Sequence, residues 1–325
     1  MTWDSRYLPP TATPWQGRSD TPAKSAFFQV IKPLDLRQPF KNDNKSIRFA
    51  LVGFCCDAGI QRNQGRLGAA EGPTAIRAAL ARLPIQRQDV LCFDAGNITC
   101  VDGDLEAAQA ALAETVQMLM QHAIVPLVLG GGHEVAWGHF LGIQASNMHQ
   151  HLGIVNFDAH FDMRKLLDHN KGSSGTPFLQ IANAQAQAHL DFNYYCLGAQ
   201  LASNHTELLE TANKKNVRIL WADDLHLKQS NIATTFISQA INENETLYVS
   251  MCLDVFATPY APGVSAPQAL GLTPWQVIPA LRALAASGKV RNYDIAEMSP
   301  PFDQDQRTAK LAAHLISEII HHHRN

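Results

Sequence analysis

From residue 47 onward, short apolar and β-branched runs alternate with longer segments whose apolar residues recur at helical spacing. The runs fall near 48–56, 90–94, 124–129, 152–157, 192–198, 217–221, 245–253 and 290–295, and most lack the polar alternation of a half-solvated strand. Eight such runs predict strands buried on both faces. Between them the pattern predicts helices over 74–83, 104–122, 135–146, 204–214, 232–241, 274–286 and 307–321. Pro73 and Pro274 suit a first helical turn, where a missing N–H costs nothing. This alternation makes a parallel sheet with helices on both faces, so the fold class is α/β, in one domain over 46–325. Residues 1–45, rich in Pro, Thr, Asp and Lys without a sustained period, are expected to form an extended N-terminal arm over the surface.

Composition narrows the partners. With 46% hydrophobic and 17% charged residues the chain can bury a large core and is not of the disordered kind. The net charge of −3 is spread along the sequence with no basic block to follow a phosphate backbone, so nucleic acid is not expected as a partner. The N-terminus lacks the charged start and apolar run of a signal peptide, and no apolar stretch approaches the ~18 residues of a membrane span. The expectation is a cytoplasmic protein acting on a small molecule. Six cysteines scattered through apolar segments, with no CxxC pair, are expected to be free thiols. The run His321–His323 carries no assignable role.

Chemistry collects where the predicted strands end, which is where ligands sit on open parallel sheets. One run leads to Gly130-Gly131-Gly132-His133-Glu134 and the next to Asp158-Ala159-His160-Phe161-Asp162. A third leads to Cys252-Leu253-Asp254, and the last to Glu297. In extended chain, residues two apart face the same way, so Asp158, His160 and Asp162 converge, as do Cys252 and Asp254. Three polar groups after a buried strand are costly to bury bare; a divalent cation satisfies them together, and so does a hydrogen-bonded polar turn. The glycines before His133 would let the backbone pass close to a bound group. Four strand ends carrying one imidazole–carboxylate set favour metal. An oxygen-rich set suits two bridged manganese ions acting in hydrolysis, and a single zinc with water is the plainer alternative.

The segments GGGHE (130–134), DAHFD (158–162) and SMCLDVFATPYAPGVSAP (250–267) resemble, in order and spacing, the signatures of the arginase-like ureohydrolases, the family of arginases, agmatinases and formimidoylglutamases. The resemblance implies a three-layer α/β/α fold with a mainly parallel eight-stranded sheet and a two-manganese site at its carboxyl edge. By position, one ion would be held by His133, Asp158 and Asp162, and the other by Asp158, His160 and Asp254. Family members usually carry a bridging aspartate where this chain has Cys252, and a further one at Ala257. Cys252 is then either a thiolate ligand, softer than manganese prefers, or a small buried residue. The second ion would accordingly bind more weakly, be a softer metal or be absent.

The stretches GIQRNQGRLGAAEGPTAIRAAL (59–80) and SSGTPF (173–178) resemble the formimidoylglutamase branch, whereas arginases carry a histidine where Ser174 stands here. His169 lies five residues earlier as a substitute or a plain loop residue. The activity implied is hydrolysis of N-formimidoyl-L-glutamate to L-glutamate and formamide, with Asp162 or Asp254 relaying the proton to the departing nitrogen. The alternatives are a ureohydrolase acting on a guanidino compound and a degenerate, non-catalytic homologue. A substrate with two carboxylates and an amidinium calls for a bidentate arginine and an opposing carboxylate. Arg164 and Glu297 are the candidates, with a surface ion pair and a carboxylate tied to loop amides as their respective alternatives. Ser174, Arg62, Asn63 and Arg66 are further candidates for substrate contact. The family also implies a homo-oligomer.

Overall fold

The computed structural model describes residues 3–40, 46–147, 151–227 and 231–325. Residues 1, 2 and 41–45 of the expected arm lie outside the described residues. All eight predicted strands form: β3 (Ile47–Cys55), β4 (Val90–Thr99), β5 (Val125–Leu129), β6 (Leu152–Phe157), β7 (Asn193–Ala199), β8 (Arg218–Trp221), β9 (Thr246–Cys252) and β10 (Val290–Ala296). The arm adds two short strands, β1 (Tyr7–Leu8) and β2 (Lys32–Pro33), so the sheet has ten. Its order is β1-β4-β3-β5-β10-β9-β6-β7-β8, with β2 also on β4; every pairing is parallel except that of β1.

Along each central strand alternate residues enter opposite cores, as the pleat requires. Leu127 and Leu129 pack into one core with Val155, Phe157, Val249 and Ile295, and Val128 faces the other with Ile154 and Tyr248. The helices are α1 (Phe27–Val30), α2 (Ala58–Arg62), α3 (Gly72–Leu80), α4 (Leu105–Gln121), α5 (Val135–Ala145), α6 (Pro177–Gln187), α7 (Thr206–Lys214), α8 (Ala222–Leu227), α9 (Ile232–Glu243), α10 (Pro274–Ala286) and α11 (Arg307–His322). The first core is closed by α3, α9, α10 and α11, and the second by α4 to α7. The result is the expected three-layer sandwich. Helix α6 escaped the sequence reading because its buried stripe of Phe178, Ile181, Ala182 and Gln185 keeps helical spacing with weakly apolar residues. Among the described residues no helix is long and apolar enough to cross a membrane, and all six cysteines are free.

The arm is bound more closely than a surface strap. Arg6, Tyr7, Phe27 and Leu36 are buried; the Tyr7 hydroxyl accepts from the Leu36 N–H at 3.0 Å, and the Trp15 indole donates to Asp94 at 2.7 Å. Its strands cover β4, which would otherwise be an open edge with unpaired backbone groups.

The C-terminal histidine run belongs to the fold. His323 is fully buried, with Nδ1 2.9 Å from the Tyr293 hydroxyl and its ring edge-on to Phe49 at 5.0 Å. Burial holds its pKa down at about 4. The neutral imidazole is therefore the folded form, and its contribution is complete above the unfolded value near 6.5 and is lost as pH falls from there toward 4. The stability gap between wild type and His323→Asn should narrow by on the order of 3 kcal/mol between pH 7 and pH 4. Urea melts across that range test it; parallel pH profiles for the two proteins would show that His323 does not titrate there.

Candidate metal centre and active site

Sheet order makes the site. Strands β5, β10, β9 and β6 are consecutive neighbours in the middle of the sheet, although the chain visits them in the order five, six, nine, ten. Their carboxyl ends carry His133, Glu297, Cys252 with Asp254, and the Asp158–Asp162 stretch.

The glycines before His133 let two stretches of backbone pack closely. A Cβ on Gly131 would lie 1.5 Å from the Cys56 carbonyl oxygen, and one on Gly132 would lie 2.0 Å from Glu134 Oε2. The backbone can thus press against the loop after β3, where the Gly132 N–H donates to the Cys56 carbonyl at 3.1 Å and Glu134 accepts from the Gly59 N–H at 2.8 Å. Burial, and then the charge of Glu297, push the Glu134 carboxyl up to about 8. Nothing in the sequence flagged Glu134 as the anchor of the segment that presents Asn63.

The remaining side chains converge. His133 Nδ1 lies 2.9 Å from Asp158 Oδ2 and 2.8 Å from Asp162 Oδ2; His160 Nδ1 lies 3.4 Å from Asp158 Oδ1 and 3.1 Å from Asp254 Oδ2. Asp158 stands between the two imidazoles, steadied by the Asn156 amide at 3.0 Å and the His160 N–H at 2.7 Å. Ligand atoms of His133, Asp158 and Cys252 lie within 4.8 Å of one another, and so do those of Asp158, His160 and Asp254. Cys252 lines the cavity and belongs to neither apolar core. Ala257 instead bridges to Gln268.

These residues fit a pair of divalent cations. His133 Nδ1 and Asp254 Oδ1 are buried and make no hydrogen bond. The carboxylate oxygens beside Nδ1 are near enough but off the line of an N–H, an arrangement that suits a cation held among them. Burial and the neighbouring Asp158 charge push Asp162 up to about 6 and raise Asp254, while burial and then Asp254 push Glu297 up to about 7. Four carboxylates thus crowd around two imidazoles, whose own pKa values, despite burial, their charge raises, and bound cations would supply the remaining counter-charge. Asp162 and Glu297 both hold left-handed backbone, at φ 48° and 75°, a strain characteristic of functional positions.

Two cavities meet here. An inner one of about 260 Å³ is lined by His160, Asp162, Cys252, Asp254, Ser174 and Glu297, among others. An outer one of about 560 Å³ shares Asn63, Gln64, Arg164 and Leu208 with it and adds Arg62, Lys165 and His205. Although larger, the outer cavity contains none of the candidate metal ligands, so the chemistry belongs to the inner one. Glu297 accepts from the His133 N–H at 2.9 Å and from the Ser265 hydroxyl, a partner the sequence did not signal. Ser174 accepts from the Asn63 amide at 3.1 Å.

The candidate arginines separate. Arg62 is bidentate to Glu106 at 2.6 and 2.9 Å and also reaches the Gly172 carbonyl. Arg66 donates to the Val264 carbonyl at 2.5 Å and stacks on Phe302, lining neither cavity. The Arg164 guanidinium makes no hydrogen bond or ion pair with any described residue and stands where the cavities join. His169 stands exposed on the 168–170 turn and lines neither cavity.

The sequence and the fold have counterparts. The chain belongs to the arginase family, whose model matches residues 47–322. Among its relatives, the formimidoylglutamase of Legionella pneumophila (strain Lens) is 43% identical over 316 residues, covering 97% of this chain and 98% of the relative. That of Clostridium tetani is 40% identical over 326 residues, covering 97% and 95%. The crystal structure of Trypanosoma cruzi formiminoglutamase with Mn2+ matches with a TM-score of 0.76 at 23% identity, over 84% of this chain and 92% of that one.

Proposed function

We propose that this chain hydrolyses N-formimidoyl-L-glutamate to L-glutamate and formamide, with two manganese ions at the carboxyl edge of the sheet. The observation that carries the reading is the clustering of His133 and Asp158 with His160, Asp162 and Asp254, the last three lining one cavity, in a chain matched over nearly its full length by formimidoylglutamases. In the proposed assignment one ion is held by His133, Asp158 and Asp162 with Cys252 beside them, and the other by Asp158, His160 and Asp254. When bound, such ions supply Lewis acidity that makes hydroxide available from water near neutral pH.

The protein groups do the rest. Glu297, fixed by Ser265 and the His133 amide, faces the cavity and pairs with the cationic amidinium. Arg164 takes a substrate carboxylate at the junction, with Asn63 and Ser174 as polar contacts between it and the ligand cluster and Arg62 as a wall of the outer cavity. Asp162 and Asp254 are the carboxyls placed to pass a proton to the glutamate nitrogen, a poor leaving group unless protonated. Residues 46–325 form the catalytic unit, with the arm covering the sheet edge, and the enzyme is cytoplasmic and homo-oligomeric.

The test is a substrate panel with manganese-loaded protein. Formimidoylglutamate should be turned over well above arginine, agmatine and guanidinobutyrate. Equal or better turnover of arginine would sink the substrate assignment while leaving the family intact.

A further inference from the structure

Behind His133 lies a closed polar cluster that the catalytic reading leaves unused. His133 Nε2 is 2.9 Å from the Ser250 hydroxyl, and that hydroxyl donates to Asp294 Oδ1 at 2.6 Å. Asp294 Oδ2 accepts from the Tyr248 hydroxyl and faces His139 Nδ1 at 3.1 Å, while His139 Nε2 rests 3.1 Å from Asn292 Oδ1. All six residues are buried, at 1% exposure or less. They lie on β9, β10, α5 and the loop after β5, so tertiary packing alone brings them together.

Hydrogen-bond direction fixes what this cluster does. Three donors converge on the Asp294 carboxylate, from Ser250, Tyr248 and His139, so it acts as the acceptor for all of them. Ser250 has a single proton and gives it to Asp294. Its lone pair is then what faces His133 Nε2, and that nitrogen must carry a hydrogen. The neutral imidazole of His133 is thereby held with Nδ1 as its lone-pair nitrogen, and Nδ1 is the atom that faces Asp158 and Asp162 without a hydrogen bond of its own.

We propose that Asp294, acting through Ser250, is a positioning residue that locks the metal-binding tautomer of His133 and so sets affinity at one ion site and not the other. The inference rests on the metal-dependent reading of the site. His160 makes no hydrogen bond to Ser250, Asp294 or Tyr248 among the described residues; the Cys196 thiol donates to its carbonyl, and its ring faces Asp158 and Asp254. Loss of the lock therefore has an asymmetric consequence. In Asp294→Asn the amide oxygen takes the Oδ2 place, where Tyr248 and His139 both donate, so the N–H turns toward Ser250, reverses the hydroxyl and favours hydrogen at His133 Nδ1, where the ion must bind. Ser250→Ala removes the acceptor instead and leaves the Nε2–H buried without a partner. Tyr248→Phe also removes a hydrogen bond to Asp294 but leaves the Ser250 direction unchanged.

The experiment is calorimetric titration of metal-stripped full-length protein with manganese, for wild type, Asp294→Asn, Ser250→Ala and Tyr248→Phe, with thermal midpoints measured alongside. The expected result is a weakening of one of the two binding events by about 10–100-fold in Asp294→Asn and Ser250→Ala, the loss typical when a ligand's hydrogen-bond partner is removed. The other event should stay near wild type, as should both events in Tyr248→Phe. Unchanged affinities in Asp294→Asn and Ser250→Ala, with two ions bound by wild type, would overturn the tautomer lock alone. Affinity that merely follows thermal stability across all the variants, Tyr248→Phe included, would overturn it as well. Wild-type protein that takes up no manganese would remove the metal-dependent reading itself and the lock with it.

Discussion

Changing Cys252 to Ala should weaken the manganese ion grouped with His133 and Asp158, and not the ion of His160 and Asp254 to which the sequence reading tied Cys252, by at least about 10–100-fold, because the loss from disturbing a ligand's partners alone is already that large. Cys252→Asp should bind that ion more tightly than wild type and keep or improve turnover, since a hard cation prefers carboxylate oxygen to sulfur. The geometric basis is the 4.8 Å grouping of Cys252 with His133 and Asp158, together with a side chain that faces the cavity. Burial, and then the Asp158 and Asp254 carboxylates, push the Cys252 thiol well above its ordinary value. A neighbouring divalent cation reverses that balance and draws the proton off. Metal stoichiometry and affinity on the three proteins decide the matter. Two tightly held ions in the Ala variant would refute a ligand role for Cys252 and leave it a packing residue.

Arg164→Ala should lower kcat/KM for formimidoylglutamate by about 2–3 kcal/mol, on the order of 30- to 150-fold, as expected for losing hydrogen bonds to a charged group. Metal content should be unchanged, because Arg164 touches no ligand. Its backbone is held by the Gly175 carbonyl at 2.8 Å, so the substitution leaves the loop in place. Gly175 also gives the side chain its room, for a Cβ there would lie 2.8 Å from Arg164 Cδ. Steady-state kinetics on the dicarboxylate substrate and on an amidine lacking carboxylates separate the roles: the penalty should appear with the first and vanish with the second. Wild-type kinetics in the variant would pass the carboxylate-binding role to Arg62 or Lys165 on the outer cavity wall.

Most of the candidate site was legible before the fold was known, for a reason specific to parallel sheets. A strand buried on both faces is mainly apolar, so a polar continuation marks the strand end, and His133, Asp158, Asp254 and Glu297 all stand just past such runs. What surrounds them was not legible. Ser250 sits within β9, where a small hydroxyl side chain in a mostly apolar run looks like any small core residue. Ser265 and Glu134 act through partners 32 and 75 residues away in the chain, which no local pattern encodes. The arginines illustrate the same limit: the sequence favoured Arg164 for its place just beyond Asp162, but only the structure shows that Arg62 and Arg66 brace loops while the Arg164 guanidinium makes no hydrogen bond or ion pair with any described residue.

The sequence by itself determined the eight main strands, most of the helices between them and the candidate donor set. Periodicity separated the eight long strands from their helices, because side-chain direction repeats every two residues in one and every 3.6 in the other. The i, i+2 spacing of Asp158, His160 and Asp162 placed three polar groups at one strand exit. Tertiary structure decided the order of the strands, and with it whether four distant exits would ever meet. Nothing local requires β9 and β10 to fill the gap between β5 and β6. There both strands are buried on both faces between the helices of the two layers, and the buried polar residues Asn292 and Asp294 of β10 find partners in His139, Tyr248 and Ser250. The same packing set the direction of each hydrogen bond around His133, and so the nitrogen it turns toward the carboxylates.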